Sequence, residues 1–203
     1  MSKTENNSRK NYHIGNLPDR LLAATREEIE ASGADKLSLR SVAQRVGVSA
    51  PAAYHHFANR RDLLAGLAII GFSELRLVLQ KTVTNGHTTE SPINAGRAYV
   101  DFARNNPELY QLMFGAEFGD RAEYPRLQEA AEQSHQILKE IFANVLQVPV
   151  DNAAVGKAAF SAWSLAHGLS SLLIQGVIRQ RPGQDIDNLI DDALQGLPEL
   201  GAL

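Results

Sequence analysis

Residues 38–57, SLRSVAQRVGVSAPAAYHHF, are the stretch on which the rest of the chain turns. Ser38 stands where it can cap a short helix whose residues Leu39, Val42, Ala43 and Val46 share one face, and Gly47 can take the left-handed conformation that ends it. Val48 then points back towards the core, and Ser49 caps a second helix. Pro51 is harmless in that helix's first turn, where N–H groups have no intrahelical partner, but it obliges Ser49 to cap through Ala52. Two helices joined by a tight glycine turn, with a third helix upstream to pack on, make a helix-turn-helix. Such a unit places the start of its second helix against base edges in the major groove. Ala50, Pro51 and Ala52 are small enough to let that backbone approach closely. Spacing alone also fits an ordinary helical hairpin.

The flanking sequence is helical throughout. Apolar residues recur at three-and-four spacing in segment after segment, and alternating strand patterns are missing. Leu17-Pro18-Asp19 opens a helix over 18–32 with Gly33 as its stop, and Asn59, with Asp62 three residues on, caps a long helix reaching about 84. NGHTTESP at 85–92 reads as a loop. Helices are expected at about 93–105, 107–115, 122–147, 151–180 and 186–196. The fold class is therefore all-α, with about nine helices. A basic tail over 1–15, expected to be flexible, precedes a three-helix unit over 16–62 expected to bind DNA, followed by a larger helical domain over 63–203.

At 203 residues and 44% hydrophobic, the chain can bury roughly 70% of its unfolded surface. It has no cysteine, which removes disulfides and thiolate chemistry, and no apolar run long enough to cross a bilayer. The first fifteen residues lack the apolar centre of a secretion signal, so a cytoplasmic location is expected. The net charge of -3 is uneven: residues 1–65 carry ten Lys/Arg against seven Asp/Glu, leaving the front locally basic as phosphate contact would favour. Lys3, Arg9 and Lys10 fit either a DNA-following arm or a solubilising tail. No phosphate-binding glycine loop, nucleophile elbow or HExxH is present, so catalysis is not expected. Glu132 and His135 share a helix face, a spacing usually occupied by a solvated pair. His55 and His56 point about 100° apart on a helix and cannot readily share a metal, so His56 is expected to pack and His55 to face DNA. No metal and no cofactor is expected.

The run from Leu37 to Leu63, L-S-L-R-S-V-A-x-x-V-G-V-S-x-x-A-x-Y-H-H-F-x-N-R-x-x-L, resembles the DNA-binding signature of the TetR family of bacterial transcriptional regulators. Tyr110–Gly115 (YQLMFG) and Ala162–Gly168 (AWSLAHG) resemble the regulatory domain of a branch with a Trp-x-x-x-His-Gly segment in a long helix. The resemblance implies that Ser38 and Arg40 lie beside the phosphate backbone and that Ser49, Ala50, Pro51 and Ala52 head the recognition helix. It further implies that Tyr54 and His55 contact backbone or bases, and that Arg60 clamps a phosphate. Ala52-Ala53 stands where many members carry Thr-Leu, so a threonine contact to phosphate is absent and Ala50 and Pro51 can read only apolar features such as a thymine methyl.

The larger domain should pair and sense. Trp163, Ala166, Ser170, Leu173, Ile174 and Val177 form one helical stripe, and Ile186, Leu189, Ile190, Ala193 and Leu194 another; together they fit a four-helix dimer seam, or equally an intrachain core. A dimer suits DNA reading, since two units must reach major grooves roughly 34–36 Å apart or a multiple of that. Segments that surround a ligand cavity in the family supply Leu79, Tyr99, Phe102, Tyr110, Met113, Phe114, Phe118, Trp163 and His167, aromatic rings with a few polar handles that suit a largely apolar small molecule. The expected partners are a palindromic double-stranded DNA operator, a second copy of the chain and a small effector, with no membrane. The expected function is a repressor released by that effector, with a ligand-independent DNA-binding protein of the same fold as the alternative.

Overall fold

The computed structural model describes residues 16–83, 90–179 and 185–195, and the expected basic tail over 1–15 lies outside them. Among the described residues are nine α-helices and no strand: α1 Leu17–Ser32, α2 Leu39–Val46, α3 Ala50–Tyr54, α4 Arg60–Gln80, α5 Glu90–Asn105, α6 Pro107–Phe114, α7 Pro125–Leu146, α8 Ala153–Ile174 and α9 Ile186–Leu194. Two 3₁₀ turns, Ala116–Phe118 and Arg121–Glu123, join α6 to α7.

Local chemistry sets the first four helices. Ser38 Oγ accepts the Ser41 N–H at 3.0 Å while the Ser41 hydroxyl accepts the Ser38 N–H at 3.2 Å, a reciprocal cap on α2. Gly47 ends α2 at φ 77° and ψ 31°, where a side chain would be strained. Ser49 Oγ caps α3 through the Ala52 N–H at 3.3 Å, the bond that Pro51 dictates. Asn59 Oδ1 caps α4 through the Asp62 N–H at 2.9 Å. Leu21, Ile29, Leu39, Val42, Ala43, Ala53 and Leu63 close a small core beneath α1–α3, all 3% exposed or less. Each such leucine or isoleucine withdrawn from water contributes about 1.5–3 kcal/mol.

α4 runs unbroken across the boundary expected at 62/63. Its first turns bury Leu63, Leu64 and Leu67, and its later turns bury Phe72, Leu75 and Leu79 against α6 and α7. Close approach to α6 depends on Gly71, where a Cβ would come 2.6 Å from the Met113 sulfur. α5, α7 and α8 pack around one another, and α9 lies on α5 and α8. Arg97 pins α9 to α5 through Asp191 at 2.7 Å, and Arg104 does so through Asp187 at 2.7 Å.

Several helix bounds differ from expectation. α4 ends at Gln80, and Glu90–Pro92, expected in the loop, belong to α5. α7 begins at Pro125, whose missing N–H is tolerated only in a first turn, so residues 122–124 cannot be its interior. α8 stops at Ile174 because Gly176 turns left-handed at φ 68°, and the Val177 and Ile178 N–H groups both fold back onto the Leu172 carbonyl at 3.0 and 3.1 Å.

Candidate nucleic-acid interface and ligand cavity

The caps of α2 and α3 leave a polar, accessible face. Ser38, Arg40, Ser49, Pro51, Tyr54 and His55 are exposed, Ala50 and Ala52 are half-exposed, and Ala53 is fully buried beneath them. Tyr54 is 51% exposed, high for a tyrosine, whose ring gains by burial. Arg40 has no hydrogen bond or ion pair among the described residues. His56 is also exposed, so it does not pack as expected; its ring meets that of His55 edge-on with centroids 5.3 Å apart. α3 ends at Tyr54, and the Phe57 side chain packs inward in its place.

Arg60 faces the other way. Its Nε donates to the Leu37 carbonyl at 3.0 Å, one Nη donates to the Ala34 carbonyl at 2.7 Å, and the other pairs with Glu117 in the first 3₁₀ turn. Without DNA, the residue expected as a phosphate clamp serves as an internal tie: it holds the loop before α2 to the start of α4 and joins both to the segment after α6. Arg61, next to it, is exposed and has no partner among the described residues. Arg26 makes a second tie, reaching from α1 to Glu74 of α4 at 2.6 Å and to the Asn106 side-chain oxygen before α6 at 2.7 Å.

Behind this unit, α4, α7 and α8 enclose a cavity of about 1000 Å³. Leu79, Tyr99, Phe114, Trp163 and His167 line it as expected, joined by Phe72 and Leu75 of α4. Tyr110 lies just outside, bonded to His167 and lining a separate groove. Phe102, Met113 and Phe118 are packed core instead: Met113 fills the contact beneath Gly71, and Phe118 stacks edge-on against Tyr124. The structure adds polar residues that were not expected in the lining, Arg121 from the second 3₁₀ turn and Gln128, Glu132, His135 and Lys139 from α7. The three-residue recurrence of Glu132 and His135 was the one visible trace of this face. Exposed Gln128, Glu132, Phe160 and Ser164 form its mouth.

A hydrogen-bonded chain sits in the aromatic wall. Trp163 Nε1–H donates to the Tyr99 hydroxyl at 3.2 Å, the Tyr99 and Tyr110 hydroxyls are 3.2 Å apart, and the Tyr110 hydroxyl is 2.6 Å from His167 Nδ1. One donor order compatible with these distances runs Trp163 to Tyr99 to Tyr110 to His167, with Nδ1 accepting and the proton on Nε2. Burial raises both tyrosine pKa values and lowers that of His167 below its ordinary value, as it does for His135, where nearby Lys139 adds to the effect. Burial thus favours the neutral form of both imidazoles in the folded chain.

The unfolded chain takes up protons on these histidines near pH 6.5, while the folded chain resists until lower pH. Their contribution to stability is complete above about pH 6.5 and is lost as pH falls through that value towards the folded pKa. Thermal melting at about pH 7.5 and about pH 5.5 should therefore show a drop that shrinks in His167→Asn; an equal drop in both proteins would remove His167 from the effect.

The expected dimer residues separate into two groups. Ala166 and Ser170 of α8 and Ile190 and Leu194 of α9 are 3% exposed or less within one chain, so they are intrachain core and cannot supply a seam. The Ser170 hydroxyl is spent on the Ala166 carbonyl at 2.8 Å. Leu173 and Ile174 are half-buried against the core, and Val177, 67% exposed, lies beyond the helix end. The outward stripe of α8 is Ser161, Leu165, Gly168 and Leu172, with Leu165 36% and Leu172 40% exposed, and a Cβ at Gly168 would meet nothing within 4 Å.

A three-helix helix-turn-helix joined through one continuous helix to a larger cavity-bearing helical domain is the architecture of a bacterial regulator. Residues 21–67 match the family described as bacterial regulatory proteins, tetR family, and residues 93–197 match the tetracyclin repressor-like C-terminal domain. The chain belongs to the TetR family, a family of regulators rather than enzymes. A solved structure of a protein of unknown function from Rhodococcus sp. RHA1 is similar at a TM-score of 0.79 and 30% identity, covering 94% of this chain and 97% of that one. The uncharacterized HTH-type transcriptional regulator YobS of Bacillus subtilis is 28% identical over 98 residues, 48% of this chain and 51% of its own length. The nucleoid occlusion factor SlmA of Pasteurella multocida is 29% identical over 119 residues, 57% of this chain and 58% of its own. The chain thus spans little more than half the length of these curated relatives.

Proposed function

We propose that the protein is a homodimeric transcriptional repressor that holds a palindromic operator through residues 38–57 and releases it when a small, largely apolar molecule fills the cavity. One observation carries this reading: α4 begins at the helix-turn-helix, at Arg60, and lines the cavity with Phe72, Leu75 and Leu79, so a single helix touches both sites. A ligand that fits one setting of α4 better than another shifts the spacing of the two recognition helices in a dimer, with a coupling of about 1–3 kcal/mol in the usual range. The Arg60–Glu117 pair ties the same unit to the segment following Phe114, a second cavity residue. A cavity of about 1000 Å³ favours this reading over a ligand-independent DNA-binding protein with a filled interior. Residues 16–62 serve as the DNA-reading unit and 63–203 as the regulatory unit, acting in the cytoplasm; among the described residues no helix is long and apolar enough to cross a membrane.

The reading is tested by selecting fragments of the host genome with the purified protein at two salt concentrations and sequencing them. A palindrome that survives the higher salt supports it; motif-free enrichment that disappears with salt overturns it. Tyr54→Ala, an exposed change outside the core, should then weaken binding to the selected operator about tenfold or more and leave the circular dichroism spectrum unchanged. Equal affinity would take Tyr54 out of the interface.

A further inference from the structure

The cavity is not uniformly apolar, and the cations in its lining outnumber the acids: Arg121 and Lys139 against Glu132. Arg121 is one of its lining residues, and one Nη of its guanidinium donates to the Met113 carbonyl in the last turn of α6. No carboxylate pairs with it among the described residues, in contrast to Arg26, Arg45, Arg60, Arg97 and Arg104, each of which has an acidic partner. One carbonyl, even at the negative end of a helix, uses a single N–H and leaves most of the charge uncompensated. Burial accordingly disfavours the charged form of this arginine. A half-buried guanidinium with its fork unfilled is costly to keep unless something arrives to fill it.

Two neighbours point the same way. His135 Nδ1 is buried without a hydrogen-bond partner, and the His135 ring stands 5.5 Å from that of Trp163. His167, whose Nδ1 lies within hydrogen-bond distance of the Tyr99 and Tyr110 hydroxyls, also lines the cavity. Lys139 adds a second cation to the lining without an acidic partner among the described residues. The one acidic lining residue, Glu132, sits exposed at the mouth, where Gln128 donates to it at 2.9 Å. The same lining includes an apolar wall of Phe72, Leu75, Leu79 and Phe114.

We propose that the effector is an amphipathic carboxylic acid, its carboxylate held by the Arg121 fork and its hydrocarbon or aromatic part laid on the wall of Phe72, Leu75, Leu79 and Phe114. The inference rests on the reading of the cavity as the effector site and adds the chemistry of its occupant. A carboxylate accepts two parallel N–H bonds from one guanidinium, which a neutral amide or alcohol cannot do, so Arg121 sorts ligands by charge while the wall sorts them by shape.

The test uses the full chain and matched probes of equal size, 2-naphthoate against 2-naphthamide and decanoate against decan-1-ol. Binding is read by the fluorescence of Trp163, the only tryptophan, and by calorimetry. At least one acid should bind about tenfold or more tightly than its neutral counterpart, and Arg121→Gln should abolish that preference while leaving the neutral probe's affinity unchanged. Arg121→Lys should keep part of the preference, and it decides the matter if Arg121→Gln does not fold. Acids and neutral probes binding equally to the native protein would overturn the carboxylate assignment and leave the effector cavity standing. A preference undiminished in both variants would overturn the role of Arg121. If no probe of either kind binds up to millimolar concentration, the cavity is not an effector site and both readings fall.

Discussion

Glutamates at Leu165 and Leu172 are expected to leave a folded monomer whose affinity for the operator has fallen about a hundredfold or more. The two leucines are partly exposed on the outward stripe of α8, on the side away from Ala166 and Ser170, so polar substitutes cost the single chain little. In the proposed dimer the same stripe would meet its copy across a two-fold axis, and the small Ser161 before Leu165 and Gly168 between the leucines would let the helices come close. Four carboxylates brought into that seam would be desolvated beside one another, which the dimer cannot tolerate. The operator penalty follows from geometry: one helix-turn-helix reaches one half-site, and the second half-site then loses the effective concentration the dimer supplied. Sedimentation velocity and operator titration on the same preparation check both parts. A variant that still sediments as a dimer would move the seam off α8.

That stripe also shows where a sequence stops being legible. The helix-turn-helix can be read from single residues because its stops and caps are local: Ser38 with Ser41, Gly47 at positive φ, and Ser49 forced onto Ala52 by Pro51 all act within four residues. α8 carries apolar side chains on several faces, and a period of 3.6 says which residues share a face without saying whether that face meets its own chain or another. The stripe through Ala166 and Ser170 was the better apolar pattern for that reason, since α5 and α7 already cover it. Five of nine expected lining residues reach the cavity, while Phe102, Met113 and Phe118 point from the same helices or turns into packed core. Arg121 carried no local signal and His135 only its shared face with Glu132, because what distinguishes them is the absence of a partner, and partners are set by the tertiary fold. Pro125 was a legible start for α7 that the apolar periodicity upstream obscured.

Arg60 and Arg61 are adjacent in sequence and should fail in opposite ways. Arg60→Met removes the donor to the Leu37 and Ala34 carbonyls and strands Glu117, whose side chain is only 24% exposed. The loss should be about 1–3 kcal/mol of stability, which for a chain of this size lowers the melting temperature by about 2–4 °C for each kcal/mol. The dependence of operator affinity on salt should keep its slope, because a guanidinium already committed to internal acceptors releases no counterion from DNA. Arg61→Met should do the reverse. Its side chain is exposed and unpaired among the described residues, so the melting temperature should hold while the slope of log affinity against log salt flattens by about one unit. Thermal melting and operator titration at several salt concentrations separate the two arginines. If Arg60→Met flattens the slope at an unchanged melting temperature, its guanidinium must leave Glu117 for a phosphate when DNA binds. The tie between the helix-turn-helix and the segment after α6 would then break on the operator, and coupling between cavity and DNA would have to pass through α4 alone.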